Sequence, residues 1–505
     1  MRTKKATINT IVNIILYIIA FLPSFLVRKV FLDKLGGELL GLSSLYGNII
    51  GVLSMVELGI GSAIVFALYK PFSNNDRVKI KGYLNYYAKF YRIVGFTILL
   101  IGIFIIPFLN IFIKNSINII DARIYFVLFL INTFISYLFS YKICILNVAQ
   151  ENYKISGATT ISKLCISILQ VFSLKFHPSF YTFIVIQIVV NLVYYIILNR
   201  YIDNKFKWLK TTKGNITNEE KHSLIKNVKA LFLHKIGGML VFGVDNIVIS
   251  SFVNLDVVGR FNSYNMIIGV IQGGVGNAVD GVTASVGNLL AEGNEENSYM
   301  VHKRLFFLNF WVVSFIVISL YNTLEQFIII WLGKDQILDR FTLILMLSNL
   351  YFLLMRSSVE MFKSGAGIYH QDRFAPILEG GINLVSSIVL VKFIGLPGVV
   401  LGTLISNLTV IFWLKPKMVY KYVFNKPLKE YFFMYFKYLL IGLIPLIITK
   451  YLTIKLRNSQ LLIGFIENCI VNIVVINSLY MVIFRKNENF KYFKEVIKNI
   501  LRINN

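Results

Sequence analysis

Residues 8–28 read INTIVNIILYIIAFLPSFLVR, an apolar run with no charged residue before Arg28. An α-helix needs about 20 such residues to cross a hydrocarbon core of about 30 Å. The charged start, with Arg2, Lys4 and Lys5, resembles a signal peptide. However, the run is longer than a usual signal segment and has no small-residue cleavage site. We therefore predict that this run is the first membrane span.

Apolar blocks of the same length recur to the end of the chain, which has 505 residues, 56% hydrophobic and only 15% charged. A soluble protein of this length would need many more charges on its surface. The pattern predicts an all-α, polytopic integral membrane protein. About fourteen transmembrane helices are expected, at 8–28, 39–67, 92–112, 122–146, 155–174, 180–199, 229–252, 258–290, 305–331, 341–362, 374–394, 397–414, 432–453 and 460–484.

The distribution of basic residues orients these spans. A net charge of +26 would suggest nucleic acid as the partner of a soluble protein, but here the charges lie in loops between apolar blocks. The richest segments are 70–92, 199–235, 415–437 and the tail after Arg485. The positive-inside rule places these segments and both termini in the cytoplasm. The expected location is a bacterial plasma (inner) membrane. Anionic membrane lipids are then expected partners, and nucleic acid is not.

Part of the sequence is repeated. Residues 41–52, GLSSLYGNIIGV, align with residues 259–270, GRFNSYNMIIGV, with six of twelve positions identical at an offset of 218. A second match, at an offset of 221, joins 150–153 (QENY) to 371–374 (QDRF) and sets Lys142 against Lys363. An even number of spans in each copy makes such a repeat parallel.

The repeat predicts two parallel six-helix lobes with additions. The expected organisation is an N-terminal lobe at 1–200, a cytoplasmic basic linker at 201–228, a C-terminal lobe at 229–420, two additional helices at 421–484 and a cytoplasmic basic amphipathic tail at 485–505. A transported substrate is expected to cross between the two lobes, as in other transporters with repeats.

Ionisable residues inside spans are costly, so each is a candidate for function. Glu57, Asp245 and Asp280 lie deep in spans 2, 7 and 8, and each either faces a cavity or has a buried hydrogen-bonding partner. Arg28 ends span 1. It is either an interfacial anchor that pairs with Asp33 or a guanidinium that faces the cavity and binds phosphate.

Four further ionisable residues occupy spans of the second lobe. Lys235 lies near the inner end of span 7, where a lysine can extend its ammonium to the interface. Arg356, Glu360 and Lys363 follow one another at i, i+4 and i+7 on one face of span 10. They predict an internal ladder of charges or, alternatively, a substrate contact.

Small residues and prolines mark where spans approach or bend. Glycines of span 8 predict close helix packing or a hinge: Gly269, Gly273, Gly274, Gly276, Gly281 and Gly287. Pro23, Pro376 and Pro445 lie within predicted spans and are expected to kink them.

Motifs for enzymatic chemistry are missing. The sequence has no G-x-x-x-x-G-K-[ST] phosphate loop and no H-E-x-x-H or G-x-S-x-G motif. The three cysteines and five histidines have no spacing of a disulfide framework or a metal site. No loop has room for a catalytic domain. The expectation is a transporter without a cofactor or metal, with coupling to an ion gradient left open.

Five short stretches resemble polysaccharide (O-antigen type) flippases, a branch of the multidrug, oligosaccharidyl-lipid and polysaccharide exporter superfamily. They are FLDKLGGELLGL at 31–42, ELGIGSA at 57–63, YKP at 69–71, FLHKIGG at 232–238 and DNIVIS at 245–250. The resemblance implies fourteen helices in two lobes and alternating access. The implied cargo is an undecaprenyl-diphosphate-linked oligosaccharide, moved from the inner to the outer leaflet for surface polysaccharide synthesis.

The resemblance also implies basic residues in the transport cavity, for which Arg28, Lys235 and Arg356 are the matching candidates. Glu57 or Asp245 would serve any coupling ion. A polysaccharide polymerase and glycosyltransferases are the implied partners. The alternatives are a related multidrug exporter, a lipid II flippase or, less in keeping with the short loops, a membrane polysaccharide polymerase.

Overall fold

The computed structural model describes residues 2–57, 60–113, 117–222, 224, 243–368, 371–372, 374–455 and 460–502. Over these residues the regular structure is helical and contains no strand. The chain divides into two compact units, Met1–Gly259 and Arg260–Asn505. The predicted all-α, polytopic fold class is therefore confirmed. The lobe boundaries inferred from the repeat stay a prediction.

The described helices of unit 1 are α1 to α10. Their bounds are α1 Arg2–Leu53, α2 Ile60–Ser73, α3 Arg77–Ile105, α4 Asn110–Ile113, α5 Ile119–Phe139, α6 Cys144–Val148, α7 Asn152–Phe176, α8 Phe180–Lys205, α9 Trp208–Thr211 and α10 Asp245–Phe252. Single 3₁₀ turns follow α1 (Ser54–Glu57), α3 (Ile106–Leu109) and α5 (Ser140–Lys142). Helix α11, Leu255–Ala291, starts in unit 1 and continues into unit 2.

Unit 2 contains the remaining helices. They are α12 Glu295–Leu332, α13 Arg340–Met355, α14 Ser357–Gly365, α15 Ala375–Ile394, α16 Leu396–Ser406, α17 Phe412–Tyr422, α18 Leu428–Lys455, α19 Leu461–Val471, α20 Asn477–Phe484 and α21 Glu488–Arg502. A 3₁₀ turn, Lys334–Gln336, follows α12, and π turns at Asn407–Ile411 and Asn472–Ile476 interrupt two of the predicted spans.

Ten helical stretches of the described residues are long and apolar enough to cross a membrane, and they match predicted spans 3 to 6 and 9 to 14. The other four spans differ for physical reasons. The side chains of span 1 are largely outside the described part, as is the first part of span 7. Span 2 is interrupted after Leu53. Helix α11 is long enough for span 8, but its glycines and polar residues dilute its apolar character.

Large apolar side chains cover the outside of these helices. Phe104, Phe393 and Phe433 are 70%, 79% and 74% exposed. On a soluble protein such surfaces would drive aggregation, whereas in hydrocarbon they meet a solvent of their own polarity. The polar faces of the helices are turned inward instead, as with the fully buried Asn383 and Thr449.

Glycine sets two features of α1. Gly36 has φ 85° and ψ 171°, which breaks the helical geometry at a position where a side chain would be strained. Five residues later, a Cβ on Gly41 would lie 1.7 Å from the carbonyl oxygen of Leu255. A Cβ on Gly259 would likewise lie 2.8 Å from the carbonyl oxygen of Gly37. The second part of α1 therefore contacts the start of α11 backbone to backbone.

The glycines of α11 behave differently from the expectation of close packing. Added Cβ atoms at Gly269, Gly274, Gly276 and Gly281 would meet no described atom within 4 Å. Apart from Gly259 at the start of the helix, Gly287 comes near another backbone, that of Gly365 at 3.8 Å. Among the described residues, the predicted close packing is absent at most glycines of this helix. The alternative, a hinge that uses the conformational freedom of glycine, stays a prediction.

The prolines occupy two kinds of position, and the expected kinks at Pro23 and Pro445 stay predictions. Pro23 and Pro445 lie inside helices α1 and α18. The expected kink at Pro376 is wrong, because this proline occupies the first turn of α15. A proline there costs no hydrogen bond, since the first N–H groups of a helix have no intrahelical acceptor.

The two repeated segments make similar contacts. Tyr46 and Tyr264, which the repeat aligns, are both fully buried. The hydroxyl of Tyr46 donates to the carbonyl of Ala122 at 2.7 Å, at the start of α5. The hydroxyl of Tyr264 accepts from the N–H of Leu338 at 3.2 Å, just before α13. Each tyrosine thus holds the beginning of the helix that starts span 4 or span 10.

The described part of the basic linker packs on unit 1. Asn85 on α3 donates to the carbonyl of Gly214 at 3.1 Å, and Lys79 lies 3.2 Å from Glu220. Thr217 and Glu220 exchange side-chain and backbone hydrogen bonds as a capping box. The backbone N–H of Thr217 and the ammonium of Lys79 lower the pKa of the Glu220 carboxyl.

The C-terminal tail forms the predicted amphipathic helix, α21. Phe490 stacks on Trp311 with ring centroids 5.7 Å apart, and Phe493 stacks on Phe307 at 6.5 Å. The aromatic residues of its apolar face therefore pack on α12 of the same unit. The cytoplasmic location of this helix stays a prediction.

Gly41→Ala should destabilise the protein, because the new methyl group would overlap the carbonyl of Leu255. Overpacking of this kind costs about 1–3 kcal/mol. The matched control is Gly47→Ala on the same helix, where no atom of the described residues lies within 4 Å of the added methyl group. In that open position alanine should stabilise the helix by up to about 1 kcal/mol. Thermal unfolding in detergent measures both, and equal midpoints would contradict the close approach.

Candidate functional site

Glu57 is the centre of a polar cluster inside unit 1. Its Oε1 accepts a hydrogen bond from the hydroxyl of Tyr91, and its Oε2 accepts one from the hydroxyl of Tyr137 at 2.8 Å. The hydroxyl of Tyr87 donates to that of Tyr91. The carboxylate therefore has phenolic donors on both oxygens, which offset part of the cost of placing it at membrane depth.

Local structure explains how these groups meet. Helix α1 ends at Leu53, and a 3₁₀ turn carries Glu57 before α2 begins at Ile60. Tyr87 and Tyr91 are one turn apart on α3, so their hydroxyls lie on the same face. Gly61 allows this approach, since a Cβ there would lie 2.9 Å from the Tyr87 hydroxyl oxygen.

The Glu57 cluster borders a cavity of about 800 Å³ within unit 1. Its lining combines the carboxylate and tyrosines with further polar groups, Ser140, Asn147, Tyr194 and Tyr195. A cavity of this volume is large enough for water and small ions beside the carboxylate. Of the two alternatives for Glu57, the structure therefore shows both a hydrogen-bonded carboxylate and an adjacent cavity.

Arg28 and its neighbours occupy the end of the first segment of α1. The predicted pair with Asp33 is made by Lys29 instead, at 2.9 Å. A guanidinium Nη of Arg28 donates to the carbonyl of Gly259 at 2.8 Å. Arg28 thus binds backbone at the α1–α11 contact, and its predicted role toward phosphate stays untested.

Asp245 begins helix α10, where a carboxylate interacts favourably with the helix dipole. One oxygen of Asp245 is buried and has no hydrogen-bond partner among the described residues. The next residue, Asn246, donates to the side-chain oxygen of Asn48 at 3.0 Å, and Asn48 donates to the carbonyl of Gly243 at 3.0 Å. This polar contact joins spans 2 and 7 beside the aspartate.

In unit 2, Glu360 is shared by two cations. The Nε of Arg356 lies 3.2 Å from its Oε1, and the ammonium of Lys415 binds the same oxygen. The side chains of Arg356, Lys415 and Glu360 are only 13%, 15% and 28% exposed, respectively. A second carboxylate, Glu379 on α15, interacts electrostatically with both cations. The formal charges of these four residues balance, as a site in hydrocarbon requires.

Interrupted helices position this cluster. Arg356 sits at the junction between α13 and α14, and Glu360 is one turn further along α14. Lys415 lies on α17, which follows the π turn Asn407–Ile411 and contains Pro416. Such π turns and prolines are common where a span departs from regular geometry for a functional reason.

The expected charge ladder of Arg356, Glu360 and Lys363 is correct in its first step and wrong in its second. Lys363 binds Asp372 instead of extending to Glu360. Lys363 and Asp372 are 5% and 0% exposed, so the pair is buried almost completely. The reason is that Asp372, from the repeated QDRF segment, lies against α14.

Some polar atoms near Arg356 have no partner in the described part of unit 2. Its Nη1 is buried without a hydrogen bond, as are the hydroxyl groups of Ser358, Tyr351 and Tyr435. The last two interact electrostatically with each other, and Arg356 interacts with Tyr435. Buried polar groups normally have a partner, so unmet groups beside a charged cluster indicate where a polar ligand can bind.

Two predicted candidates stand apart. Asp280 on α11 is exposed and has no hydrogen-bond partner within the described residues. Lys235 lies outside the described residues. None of the described groups of His, Cys, Asp and Glu has the arrangement of a metal site.

Sequence reasoning missed the tyrosines around Glu57, and also Lys415 and Asp372. The Tyr87–Tyr91 pair carried a usable signal, because two tyrosines one turn apart in a span can present hydroxyls to one point. Lys415, directly before Pro416, begins the basic segment 415–437 that the sequence predicts to be cytoplasmic. The carboxylate that Lys415 binds could not be predicted from the sequence, since Glu360 is far away along the chain.

Comparison with known proteins gives a family and a fold. A family model described as "Polysaccharide biosynthesis protein" matches residues 4–284. No curated protein matches the sequence. A solved structure of the lipid II flippase MurJ in an inward closed conformation has a TM-score of 0.72 at 16% identity, and the match covers 95% of this chain and 99% of that one.

Two MATE transporters have the same fold at lower similarity. An inward-facing MATE family transporter of the MOP superfamily gives a TM-score of 0.61 at 15% identity, with 79% of this chain and 95% of that one covered. The Vibrio cholerae MATE transporter VcmN gives 0.56 at 14% identity, with 84% and 98% covered. At these identities the likeness establishes the fold alone.

Tyr91→Phe should lower the thermal stability of the protein in detergent, because Glu57 would lose a buried donor. Leaving one buried polar partner unmet costs about 1–3 kcal/mol. Tyr86→Phe is the matched control on the same helix, since Tyr86 has no hydrogen bond to any described residue. That control should stay within about 0.5 kcal/mol. If both variants melt with the parent protein, the Glu57 cluster is not a stabilising contact.

Lys363→Met should destabilise unit 2 more than the double variant Lys363→Met/Asp372→Leu. A buried charge that loses its partner costs about 3–5 kcal/mol, whereas removal of both charges costs much less. Lys29→Ala is the control, because it breaks an ion pair whose side chains are 40% and 48% exposed. It should change stability by about 1 kcal/mol or less. A double variant less stable than the single one would contradict the buried pair.

Proposed function

Because this chain belongs to the polysaccharide biosynthesis protein family, we propose that it is a flippase for an undecaprenyl-diphosphate-linked oligosaccharide repeat unit. It moves the repeat unit from the inner to the outer leaflet of the bacterial plasma membrane by alternating access, for surface polysaccharide synthesis. The fold shared with a lipid II flippase and with multidrug transporters supports a transporter and not an enzyme.

The observation that carries the proposal is the buried Arg356 cluster. A diphosphate presents several oxygens to planar guanidinium donors, and Arg356 has a buried Nη1 that no described residue occupies. Lys415 adds a second cation within the same cluster. Glu360 and Glu379 neutralise both cations before the cargo arrives. The diphosphate then competes with these carboxylates, which makes its binding reversible, as transport requires.

The other basic candidates have supporting roles in this proposal. Arg28 would contact the cargo from the α1–α11 contact, where its guanidinium also binds the carbonyl of Gly259. Lys235 would add a further positive charge. Specificity for the sugar would come from the shape of the cavity, to which many helices contribute.

Ion coupling, if it drives transport, is assigned in this proposal to unit 1. Glu57 combines a carboxylate with a cavity of about 800 Å³. Binding of a proton or a cation there would change the hydrogen bonds of Tyr91 and Tyr137, and so the packing of α3 against α5. Asp245, whose buried oxygen has no described partner, is the second candidate for this role.

The proposed direction of transport rests on where the lipid-linked repeat unit is synthesised and where it is used. Glycosyltransferases build the repeat unit on its lipid carrier at the inner leaflet, and a polysaccharide polymerase consumes it outside. Both are therefore proposed partners. A lipid II flippase remains the second candidate, because its cargo shares the undecaprenyl diphosphate and the fold match to MurJ is extensive.

Deletion of the gene in its source strain should abolish outer-leaflet exposure of the lipid-linked oligosaccharide and cause its accumulation at the inner leaflet. Labelling intact spheroplasts with a lectin for the repeat unit measures the exposed fraction. Unchanged exposure would overturn the proposal. Rescue of a lipid II flippase mutant, with surface polysaccharide unaffected by the deletion, would favour the second candidate.

Arg356→Gln should lower the rate of flipping about tenfold or more. A charge-assisted hydrogen bond contributes about 1.5–3 kcal/mol, and 1.4 kcal/mol corresponds to a factor of ten. Arg340→Gln is the control, since Arg340 in the same unit donates to the hydroxyl of Tyr321 and is exposed. Both proteins must reach equal membrane levels. Equal rates for the two variants would remove Arg356 from the cargo path.

A further inference from the structure

Three lysines line a cavity of about 640 Å³ in unit 2 that the transport proposal does not use. Lys303 lies near the start of α12, and Lys429 and Lys437 lie near the start of α18. Asn489 on α21 completes the wall. The same end of the unit therefore collects the beginnings of two membrane helices and the C-terminal amphipathic helix.

The charges in this cavity are unbalanced. Its lining contains one carboxylate, Glu430, whose Oε2 accepts a hydrogen bond from the Tyr299 hydroxyl at 2.6 Å. Lys429 and Lys437 are exposed and have no ion-pair partner in the described part of the chain. Lys303 lies over the ring of Tyr299 at 4.7 Å. The cavity thus presents three ammonium groups against one carboxylate that already has a donor.

Other charged residues near this cavity have partners of their own. The excess of positive charge is therefore confined to the cavity. Lys426 pairs with Glu296 at 2.8 Å. The guanidinium of Arg304 lies 3.9 Å from the ring centroid of Tyr492 on α21. These contacts, with the stacking of Phe490 on Trp311, hold α21 beside the cavity. The wall made by Asn489 is therefore a fixed part of the unit.

An exposed apolar face continues from the lysines along α18. Phe433, Leu440 and Ile447 are 74%, 64% and 67% exposed, and they follow Lys429 at spacings that keep one side of the helix. The same helix is long and apolar enough to cross a membrane. A ligand with a negative headgroup and apolar tails would place its headgroup between the lysines and its tails along these side chains.

We propose that this cavity binds the phosphate headgroup of an anionic phospholipid, with its acyl chains along α18. Free phosphate would share the attraction to the lysines but would gain nothing from the apolar face, so the lipid is the expected ligand. The site goes beyond the proposed function, since it uses none of the residues assigned to the cargo or to ion coupling. A bound lipid would fix the start of α12, α18 and α21 together.

The test measures thermal unfolding of the delipidated protein in detergent at rising concentrations of phosphatidylglycerol. A ligand that binds only the folded state raises the midpoint by an amount that grows with the logarithm of its concentration relative to its Kd. The variant Lys303→Gln/Lys429→Gln/Lys437→Gln should need on the order of a hundredfold more lipid for the same rise, at roughly fivefold for each lysine near an anionic headgroup. Each variant is compared with its own midpoint without lipid.

Two matched variants separate charge from general damage. Lys207→Gln/Lys210→Gln/Lys213→Gln removes the same charge from exposed positions of unit 1 and should respond like the parent protein. Replacing the three cavity lysines by arginine should preserve the response, because the charge is retained. An equal loss in both glutamine variants would overturn the site, since it would reduce the effect to net charge.

Two further additions identify the ligand. Phosphatidylcholine, which has no net charge, should leave the midpoint nearly unchanged, and inorganic phosphate should do the same at equal concentration. A rise with phosphatidylcholine equal to that with phosphatidylglycerol would overturn the role of the lysines. A rise with inorganic phosphate equal to that with phosphatidylglycerol would overturn the assignment to a lipid.

Discussion

A hydrocarbon core offers no water to polar groups, and every other feature of this chain depends on that constraint. Backbone groups are satisfied within helices, which is why the described residues contain no strand. Buried charges must meet a partner in the same way. Glu57 binds tyrosine hydroxyls, Glu360 is shared by Arg356 and Lys415, and Lys363 binds Asp372. Each of these charged residues inside a span therefore makes a specific contact.

The polar clusters coincide with interruptions of the helices. Glu57 ends the 3₁₀ turn after α1, Arg356 lies between α13 and α14, and Lys415 follows a π turn. Irregular backbone at membrane depth is tolerated where protein or a polar cavity satisfies it. An interrupted helix also bends more easily than a regular one, since fewer hydrogen bonds resist the movement. The residues proposed for cargo and ion binding therefore lie where the helices can change shape.

The repeat preserves packing and one ion-paired lysine, Lys142 or Lys363, but not the charges of the Glu57 and Arg356 clusters. Tyr46 and Tyr264 are aligned, and each holds the start of a later helix. By contrast, the repeat sets Glu57 against Val275 and Arg356 against Ile135. Unit 1 consequently carries a carboxylate with phenolic donors, and unit 2 carries a cluster of paired charges. Such division suits a transporter in which one unit responds to an ion and the other binds an anionic cargo, as we propose.

The sequence by itself determined the fold class, ten of the fourteen spans and the repeat, because apolar length and periodicity are local properties that a bilayer selects directly. It also singled out Glu57, Arg356, Glu360 and Lys363, because charge in a span is costly wherever it lies. Only the tertiary structure decided their partners: Tyr137 for Glu57, Lys415 for Glu360 and Asp372 for Lys363. Those contacts join side chains from different segments of the chain, and how these segments pack depends on all of their neighbours at once.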